Sequence, residues 1–138
     1  MHTFTVSTQR RFEFREITAE VGALLAESKI QSGLCVVYTP HTTAAITINE
    51  NADPDVVHDM ELWFRRSIPQ SQQGFQHAEG NSDSHIMSSL VGASETLIID
   101  GSKLVLGTWQ GIYLCEFDGP RTRKVHVKFM PDCAEPLD

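Results

Sequence analysis

The segment from Trp109 to Phe117 constrains the fold most, because it is largely apolar on both of the faces that a strand would present. One parity reads Trp, Gly, Tyr, Cys, Phe, and the other reads Gln, Ile, Leu, Glu. Since successive side chains of a strand point to opposite faces, this pattern predicts a central strand that is covered on both sides. Gln110 and Glu116 share one face, so at least one of them should be partly buried. A buried amide or carboxylate must be satisfied, and a ligand, a metal ion or a nearby arginine, Arg121 or Arg123, would serve.

The other strand predictions rest on β-branched or alternating apolar runs between turn signals. The last strands follow one another through turns at 100–102 and 118–120, which favours a mixed or mostly antiparallel arrangement. We therefore predict an α+β fold, a β-sheet sandwich with about three short helices. Besides the central strand, the predicted strand segments are 2–15, Leu34–Tyr38, Ala44–Asn49, Glu95–Asp100, Leu104–Leu106 and Thr122–Phe129.

Three helices are predicted from apolar spacing and end signals. The first spans 18–30, with Thr18 as its cap. The second begins at Asp53-Pro54, where aspartate suits the N-cap and proline the first helical position, and it ends near 67–69. The third runs from Ser82 to Val91, with Asn81 or Ser82 as its cap. The polar segment 69–81 is predicted to be a loop.

The composition predicts one globular domain over residues 1–138, with a core at about 3–130 and a short C-terminal tail at 131–138. A net charge of -7 disfavours nucleic acid as a partner, because phosphate binding needs a positive field. No apolar run approaches the roughly 20 residues of a membrane helix, and the N-terminus has no signal-peptide pattern, so no membrane association is expected.

The three cysteines, Cys35, Cys115 and Cys133, are widely spaced and include no Cys-x-x-Cys pair. This pattern disfavours a disulfide framework or a zinc knuckle. Cys35 and Cys115 lie in predicted strands and are expected to be buried packing residues. The sequence thus predicts a reduced, cytoplasmic protein.

The segment from Glu79 to His85 carries two carboxylates, an amide and an imidazole in seven residues, and His77 lies just before it. One interpretation is a solvated loop that caps a short helix. The other is one wall of a site, since two histidines and a glutamate suit a divalent ion, although their spacing matches no standard metal motif. A helix start with nearby serines would also suit a phosphate.

Two further polar positions lie at strand ends. His41 follows Pro40 after a predicted buried strand, where sites are commonly built, but it also fits an ordinary surface loop. Glu50 shares the parity of Ile46 and Ile48, so it points to the buried side unless the strand has already ended. A carboxylate on the buried side would need a cation or hydrogen-bond donors.

Five motifs follow one another along the chain. They are His41-Thr42-Thr43-Ala44-Ala45, Asn49-Glu50-Asn51-Ala52-Asp53-Pro54, Glu79-Gly80-Asn81, Ser84-His85-Ile86 and Gly107-Thr108-Trp109-Gln110-Gly111-Ile112. In this order they resemble the YjbQ-like family, whose members are described as secondary thiamine-phosphate synthases. The resemblance covers roughly residues 3–130.

The resemblance implies a compact mixed sheet with helices on its surface, assembled as a homotrimer with sites near the subunit contacts. It also implies one cleft that gathers His41, Glu50, Glu79, His85, Gln110 and Glu116. The roles that follow are catalytic for His41, Glu79, His85 and Glu116, substrate-binding for Glu50, Asn81, Gln110, Arg121 and Arg123, and metal-binding for His41, His77, Glu79 and His85.

The activity that the resemblance implies joins hydroxymethylpyrimidine diphosphate to thiazole phosphate and releases diphosphate. It is weak or secondary in the family and would be assisted by a divalent ion, Mg²⁺ or Zn²⁺. The partner would be a small phosphorylated metabolite. Two alternatives remain open: a metal-dependent hydrolase of a small molecule, and a trimer that binds a metabolite or a metal without catalysis.

Overall fold

The computed structural model describes residues 1–133, and this range contains eight strands and three helices. The strands are β1 His2–Ser7, β2 Glu13–Glu16, β3 Gly33–Tyr38, β4 Ala44–Glu50, β5 Ser94–Asp100, β6 Lys103–Leu104, β7 Gln110–Glu116 and β8 Thr122–Pro131. The helices are α1 Thr18–Ser28, α2 Pro54–Ser67 and α3 Ser82–Val91. Of the predicted tail, residue 131 ends β8, and residues 134–138 lie outside the described residues.

The strands form two sheets in which every pair is antiparallel. The strand order is β1-β8-β3-β5-β6 in the five-stranded sheet and β2-β7-β4 in the three-stranded sheet. The predicted α+β fold is confirmed. The single strand segment predicted at 2–15 is wrong, because β1 pairs with β8 in one sheet and β2 pairs with β7 in the other. Residues 8–12 cross between the sheets.

The three-stranded sheet is covered on both faces, as the two apolar parities of the central strand predict. On one face Ile112 and Leu114 pack with α1 and with Val127 of the five-stranded sheet. On the other face Tyr113 and Cys115 pack with apolar side chains of α2 and α3.

The helix ends follow the predictions in part. Asp53 caps α2 by accepting a hydrogen bond from the Asp55 N–H at 2.9 Å, and Pro54 is the first helical residue. The cap predicted for α1 is wrong: Ile17 holds that position, and the Thr18 hydroxyl instead donates to Glu16 and accepts from the backbone N–H of Ile112. Thr18 therefore ties α1 to β7 rather than capping the helix.

Two glycines give a matched test of this backbone. Gly33 has φ +150°, and a Cβ there would collide with the Met130 carbonyl oxygen and lie 2.8 Å from Pro131 Cα. Gly33→Ala is expected to lower the free energy of unfolding by about 2–4 kcal/mol, because strain and overlap add. Gly22 lies in α1 with nothing within 4 Å of a Cβ, so Gly22→Ala should raise it by about 0.5–1 kcal/mol. Urea unfolding measures the free energy of unfolding of both variants. Equal changes in the two variants would contradict the prediction.

The three cysteines differ in burial. Cys35 and Cys115 are buried as predicted, whereas Cys133 is exposed. Burial raises the pKa of the Cys35 thiol to about 11. Within residues 1–133 no helix is long and apolar enough to cross a membrane. The cytoplasmic location stays a prediction.

Candidate functional site

A polar cleft of about 320 Å³ lies at the end of the three-stranded sheet where β4 begins and β7 ends. We call it the His41–His85 cleft. A second cleft of about 530 Å³ shares His41, Thr42 and His85 with it, so the two adjoin. The residues that line the His41–His85 cleft are His41, Thr42, Thr43, His77, Glu79, Asn81, His85, Asp118, Arg121 and Arg123.

Three chain segments meet at this cleft because of the strand register. Ala44, the first residue of β4, lies opposite Glu116, the last residue of β7. The segment 41–43 before β4 and the turn 118–121 after β7 therefore emerge side by side. The start of α3 closes the third side, since the Ser84 hydroxyl donates to the Phe117 carbonyl at 2.6 Å and the Ser88 hydroxyl donates to the Ala44 carbonyl at 2.7 Å.

One wall of the cleft carries imidazole and carboxylate groups. His77 Nε2 lies 3.9 Å from Glu79 Oε1, and the His77 and His85 rings meet edge to face with their centroids 5.4 Å apart. By type these donors fit a divalent ion such as Zn²⁺. Within residues 1–133 no three His, Cys, Asp or Glu side chains already form a metal cage, so the three would have to close around an ion.

Asn81 adds an unpaired acceptor beside this wall. The residue is 94% buried and occupies the N-cap position of α3, but its side chain makes no capping hydrogen bond. Asn81 Nδ2 donates to Asp118 Oδ2 at 2.7 Å, which fixes the amide orientation because the carboxylate can only accept. Asn81 Oδ1 is then buried with no hydrogen-bond partner in the described part of the chain. Such an oxygen suits a cation or a donor from a bound ligand.

A second wall of the cleft is cationic. Arg121 is half-exposed and donates from Nε to the Asp118 carbonyl and from Nη2 to Asp118 Oδ2, each at 2.9 Å. Asp118 thereby holds Arg121 on one side and Asn81 on the other. The remaining Arg121 donors are available to an anion in the cleft, and a guanidinium held in place in this way is well suited to phosphate oxygens.

Arg123 and Glu116 form a buried ion pair behind the cleft. Arg123 Nε donates to Glu116 Oε1 at 2.8 Å, and its Nη2 bonds Glu116 Oε2 and the Thr43 hydroxyl. Glu116 also accepts from the Thr8 hydroxyl at 2.7 Å and from the Asp118 N–H at 3.0 Å. Of the partners considered for a buried Glu116, the structure therefore shows the arginine. The fully engaged carboxylate fits a structural role better than the predicted catalytic one.

His41 bridges the cationic wall to the five-stranded sheet. Its Nε2 accepts a hydrogen bond from the Lys124 backbone N–H at 2.8 Å. Burial, and then the neighbouring Arg123 guanidinium, lower the pKa of His41 from its ordinary value, although Glu116 opposes this shift. The ring is therefore favoured in its neutral form near neutral pH.

Glu50 and Gln110 lie far from the His41–His85 cleft. They are opposite each other at the far end of the β4–β7 ladder, six residue pairs from Ala44 and Glu116, which corresponds to about 20 Å. Gln110 is exposed and its Oε1 accepts from the Gly107 N–H at 2.8 Å, while Glu50 is half-buried. The expected single cleft thus forms within one chain without these two residues, because they cap the opposite strand ends.

Three cleft residues were not anticipated from the sequence: Thr42, Thr43 and Asp118. Asp118 was interpreted only as part of the Asp118-Gly119-Pro120 turn. A signal is present in the sequence, since a carboxylate three residues before Arg121 is well placed to orient an arginine of the same turn. Asp83, in contrast, is buried in an ion pair with Arg11 and plays no part in the cleft.

The fold and the cleft together define a single-domain α+β protein with two antiparallel sheets and a histidine- and arginine-lined cleft at one end of the smaller sheet. The sequence model of the family described as UPF0047 protein YjbQ-like matches residues 2–132. The chain belongs to this family, which confirms the resemblance of its motifs.

Individual relatives cover nearly the whole chain. The UPF0047 protein YugU of Bacillus subtilis is 52% identical, over 94% of this chain and 98% of its own. The UPF0047 protein MJ1081 of Methanocaldococcus jannaschii is 51% identical, over 94% of this chain and 93% of its own. A crystal structure of a YjbQ/UPF0047-family protein from Clostridium acetobutylicum superposes with a TM-score of 0.92 at 48% identity, covering 94% of this chain and 100% of that one.

Proposed function

We propose that the His41–His85 cleft binds a small phosphorylated metabolite and, with a divalent ion, catalyses a reaction of the thiamine-phosphate synthase type. The observation that supports this is the pairing of two chemically different walls in one cleft. Arg121 lies on one wall, and the imidazole and carboxylate groups of His77, Glu79 and His85 lie on the other. This is the combination that diphosphate departure requires, namely charge neutralisation by fixed donors and by a metal.

The size of the cleft is compatible with this substrate class. About 320 Å³ suits a phosphate or diphosphate group, and the adjoining cleft of about 530 Å³ offers room for the heterocycle of one precursor. The shared lining residues His41 and His85 would then lie where the two parts of the substrate meet. Thr42 also lines both clefts and offers a hydroxyl there.

Within this proposal each cleft residue has a defined task. Arg121, oriented by Asp118, would hold the oxygens of the departing diphosphate. His77, Glu79 and His85 would hold the ion, and Asn81 Oδ1 would add a buried oxygen beside it. A bound divalent ion would supply Lewis-acid neutralisation of the diphosphate. Arg123 would act indirectly, through Thr43 and the shape of the wall.

The homotrimer that we propose requires a contact surface between subunits, and the outer face of the five-stranded sheet offers a candidate for it. Leu34, Ile98 and Met130 are neighbours by strand register there and are each between 39% and 58% exposed. Apolar side chains grouped on one sheet face are typical of a contact surface. A neighbouring subunit could also bring Glu50 and Gln110 of one chain near the cleft of another.

The test is turnover of hydroxymethylpyrimidine diphosphate and thiazole phosphate by the purified protein, with Mg²⁺, Mn²⁺, Zn²⁺ or EDTA. Product that depends on the added ion is the expected result. A protein that binds inorganic pyrophosphate and a metal but forms no product would contradict the transferase and leave a phosphate-binding cleft. Tightly held zinc at one per subunit, with hydrolysis of phosphate esters instead, would favour the hydrolase.

A further inference from the structure

A backbone hydrogen bond decides which ring nitrogen of neutral His41 carries the proton. A backbone N–H can only donate, so the 2.8 Å contact from Lys124 N requires a lone pair on His41 Nε2. In a neutral imidazole the other nitrogen, Nδ1, then carries the proton. His41 Nδ1 has no hydrogen-bond partner within residues 1–133, and the ring lines both adjoining clefts.

The hydrogen bond between Lys124 N and His41 Nε2 lies just beyond the end of the β3–β8 pairing. β3 pairs with β8 up to Tyr38 opposite His126, and Pro40 ends the pairing. Lys124 lies two residues beyond His126 along this ladder, where β3 no longer supplies backbone partners. The Thr39 hydroxyl donates to the Lys124 carbonyl at 3.0 Å and His41 accepts from its N–H, so two side chains replace the missing strand. Breaking the His41 contact would leave a backbone donor unpaired.

The surroundings oppose a second proton on the ring. Burial disfavours the imidazolium, and so do the charges of Arg123, Lys124 and His126, while Glu116 acts in the opposite sense and is itself neutralised by Arg123. Metal binding is equally hindered at His41. Nε2 is engaged by Lys124, and Nδ1 carries the proton, so neither nitrogen offers a free lone pair.

We propose that His41 is a neutral N–H donor that, together with Arg121, forms an anion subsite for phosphate oxygens, and that it is not a metal ligand. This inference rests on the proposed function and divides its cleft into two parts. His41 and Arg121 contact the phosphate, and His77, Glu79 and His85 hold the ion. It revises the sequence-based assignment in which His41 is a ligand beside His85.

Two substitutions separate the two nitrogens of His41. Asparagine places an N–H donor near the position of Nδ1 and offers nothing at Nε2, whereas glutamine reaches the position of Nε2 and can accept from Lys124 but offers nothing at Nδ1. Calorimetry would measure the binding of inorganic pyrophosphate and of Zn²⁺, each alone, to the wild type, His41→Asn, His41→Gln and His85→Gln. Circular dichroism and thermal unfolding would verify that each variant is folded.

We expect His41→Gln to weaken pyrophosphate binding by about tenfold or more, since it loses one hydrogen bond to a charged group. His41→Asn should retain most of this affinity, and both variants should bind Zn²⁺ within about twofold of the wild type. His85→Gln should instead weaken the binding of Zn²⁺ and keep most of the affinity for pyrophosphate. Long-range ¹H–¹⁵N spectra of the wild type at neutral pH should show His41 protonated at Nδ1 and unprotonated at Nε2.

The outcomes distinguish this inference from the proposed function. If the wild type binds no pyrophosphate, the proposed function is wrong and the anion subsite with it. If pyrophosphate binds and His41→Gln binds it equally well, the proposed function stands and the inference is overturned. Loss of Zn²⁺ from both His41 variants, or a protonated Nε2 in the spectra, overturns the inference alone.

Discussion

Replacing Arg123 with methionine is expected to lower the free energy of unfolding by about 3–5 kcal/mol, because it leaves the Glu116 carboxylate buried without its counter-charge. Both side chains are almost inaccessible, at 4% and 0% exposure. The pair also joins the two sheets, since Glu116 ends β7 in one sheet and Arg123 lies in β8 of the other. Its loss therefore weakens the contact between the sheets at the end where the cleft lies.

The control for this experiment is Arg15→Met. Arg15 pairs with Glu13 at 3.1 Å, but its side chain is 44% exposed, so its loss should cost less than about 1 kcal/mol. A double variant, Arg123→Met with Glu116→Leu, should recover part of the stability, because it removes the uncompensated charge. Equilibrium urea unfolding gives all three values. A loss below 1 kcal/mol for Arg123→Met would show that water or local rearrangement satisfies Glu116.

The sequence predicts that a buried Glu116 needs a partner such as an arginine, and it offers Arg121 and Arg123 as equal candidates. One further step of reasoning distinguishes these two arginines. Arg123 shares parity with Val125 and Val127 in β8, and all three side chains are buried. Arg121 lies one residue before β8 begins, in the turn, where strand parity no longer directs a side chain inward. The choice depended on where the strand starts, which is the boundary that local patterns define least well.

Features that depend on residues near in sequence were predicted best. The two apolar parities of β7 indicated a central strand because each parity records the cover on one face, and Asp53-Pro54 marked the start of α2 through contacts within three residues. The division of segment 2–15 between two sheets was not legible. Both halves alternate in the same way, and the sheet that each joins is decided by distant partners. These partners are Thr122–Val127 for β1 and Tyr113–Glu116 for β2, about 100 residues or more along the chain.

The same contrast between local and distant contacts decides which parts of the candidate site could be predicted. His77, Glu79 and His85 are close in sequence, and their meeting with His41 follows from helix α3 ending against β4. The sequence could not show that Nε2 of His41 is engaged, because the donor is a backbone N–H 83 residues away. Nor could it separate Glu50 and Gln110 from the cleft, since their polarity is the same at either end of a strand and only the register places them.

Replacing Glu79 with glutamine is expected to reduce the proposed turnover by about 100-fold or more, because substitutions of groups that merely support metal ligands already cost about 10–100-fold. The change keeps the shape of the side chain and removes its charge. The Glu79 side chain is 69% exposed and lies 3.9 Å from His77, so the free energy of unfolding should change by no more than about 0.5 kcal/mol. The expected result is a folded protein with lower metal affinity and lower activity.

Glu27→Gln is the matched control, since Glu27 is an exposed glutamate on α1 that lines none of the clefts described around His41 and His85. It makes the same change in net charge, so any effect of overall charge on an anionic substrate appears equally in both variants. Turnover and metal content are measured on the same preparations. If Glu79→Gln keeps both at the level of Glu27→Gln, Glu79 is not a ligand, and the ion would have to be held by His77, His85 and the buried oxygen of Asn81.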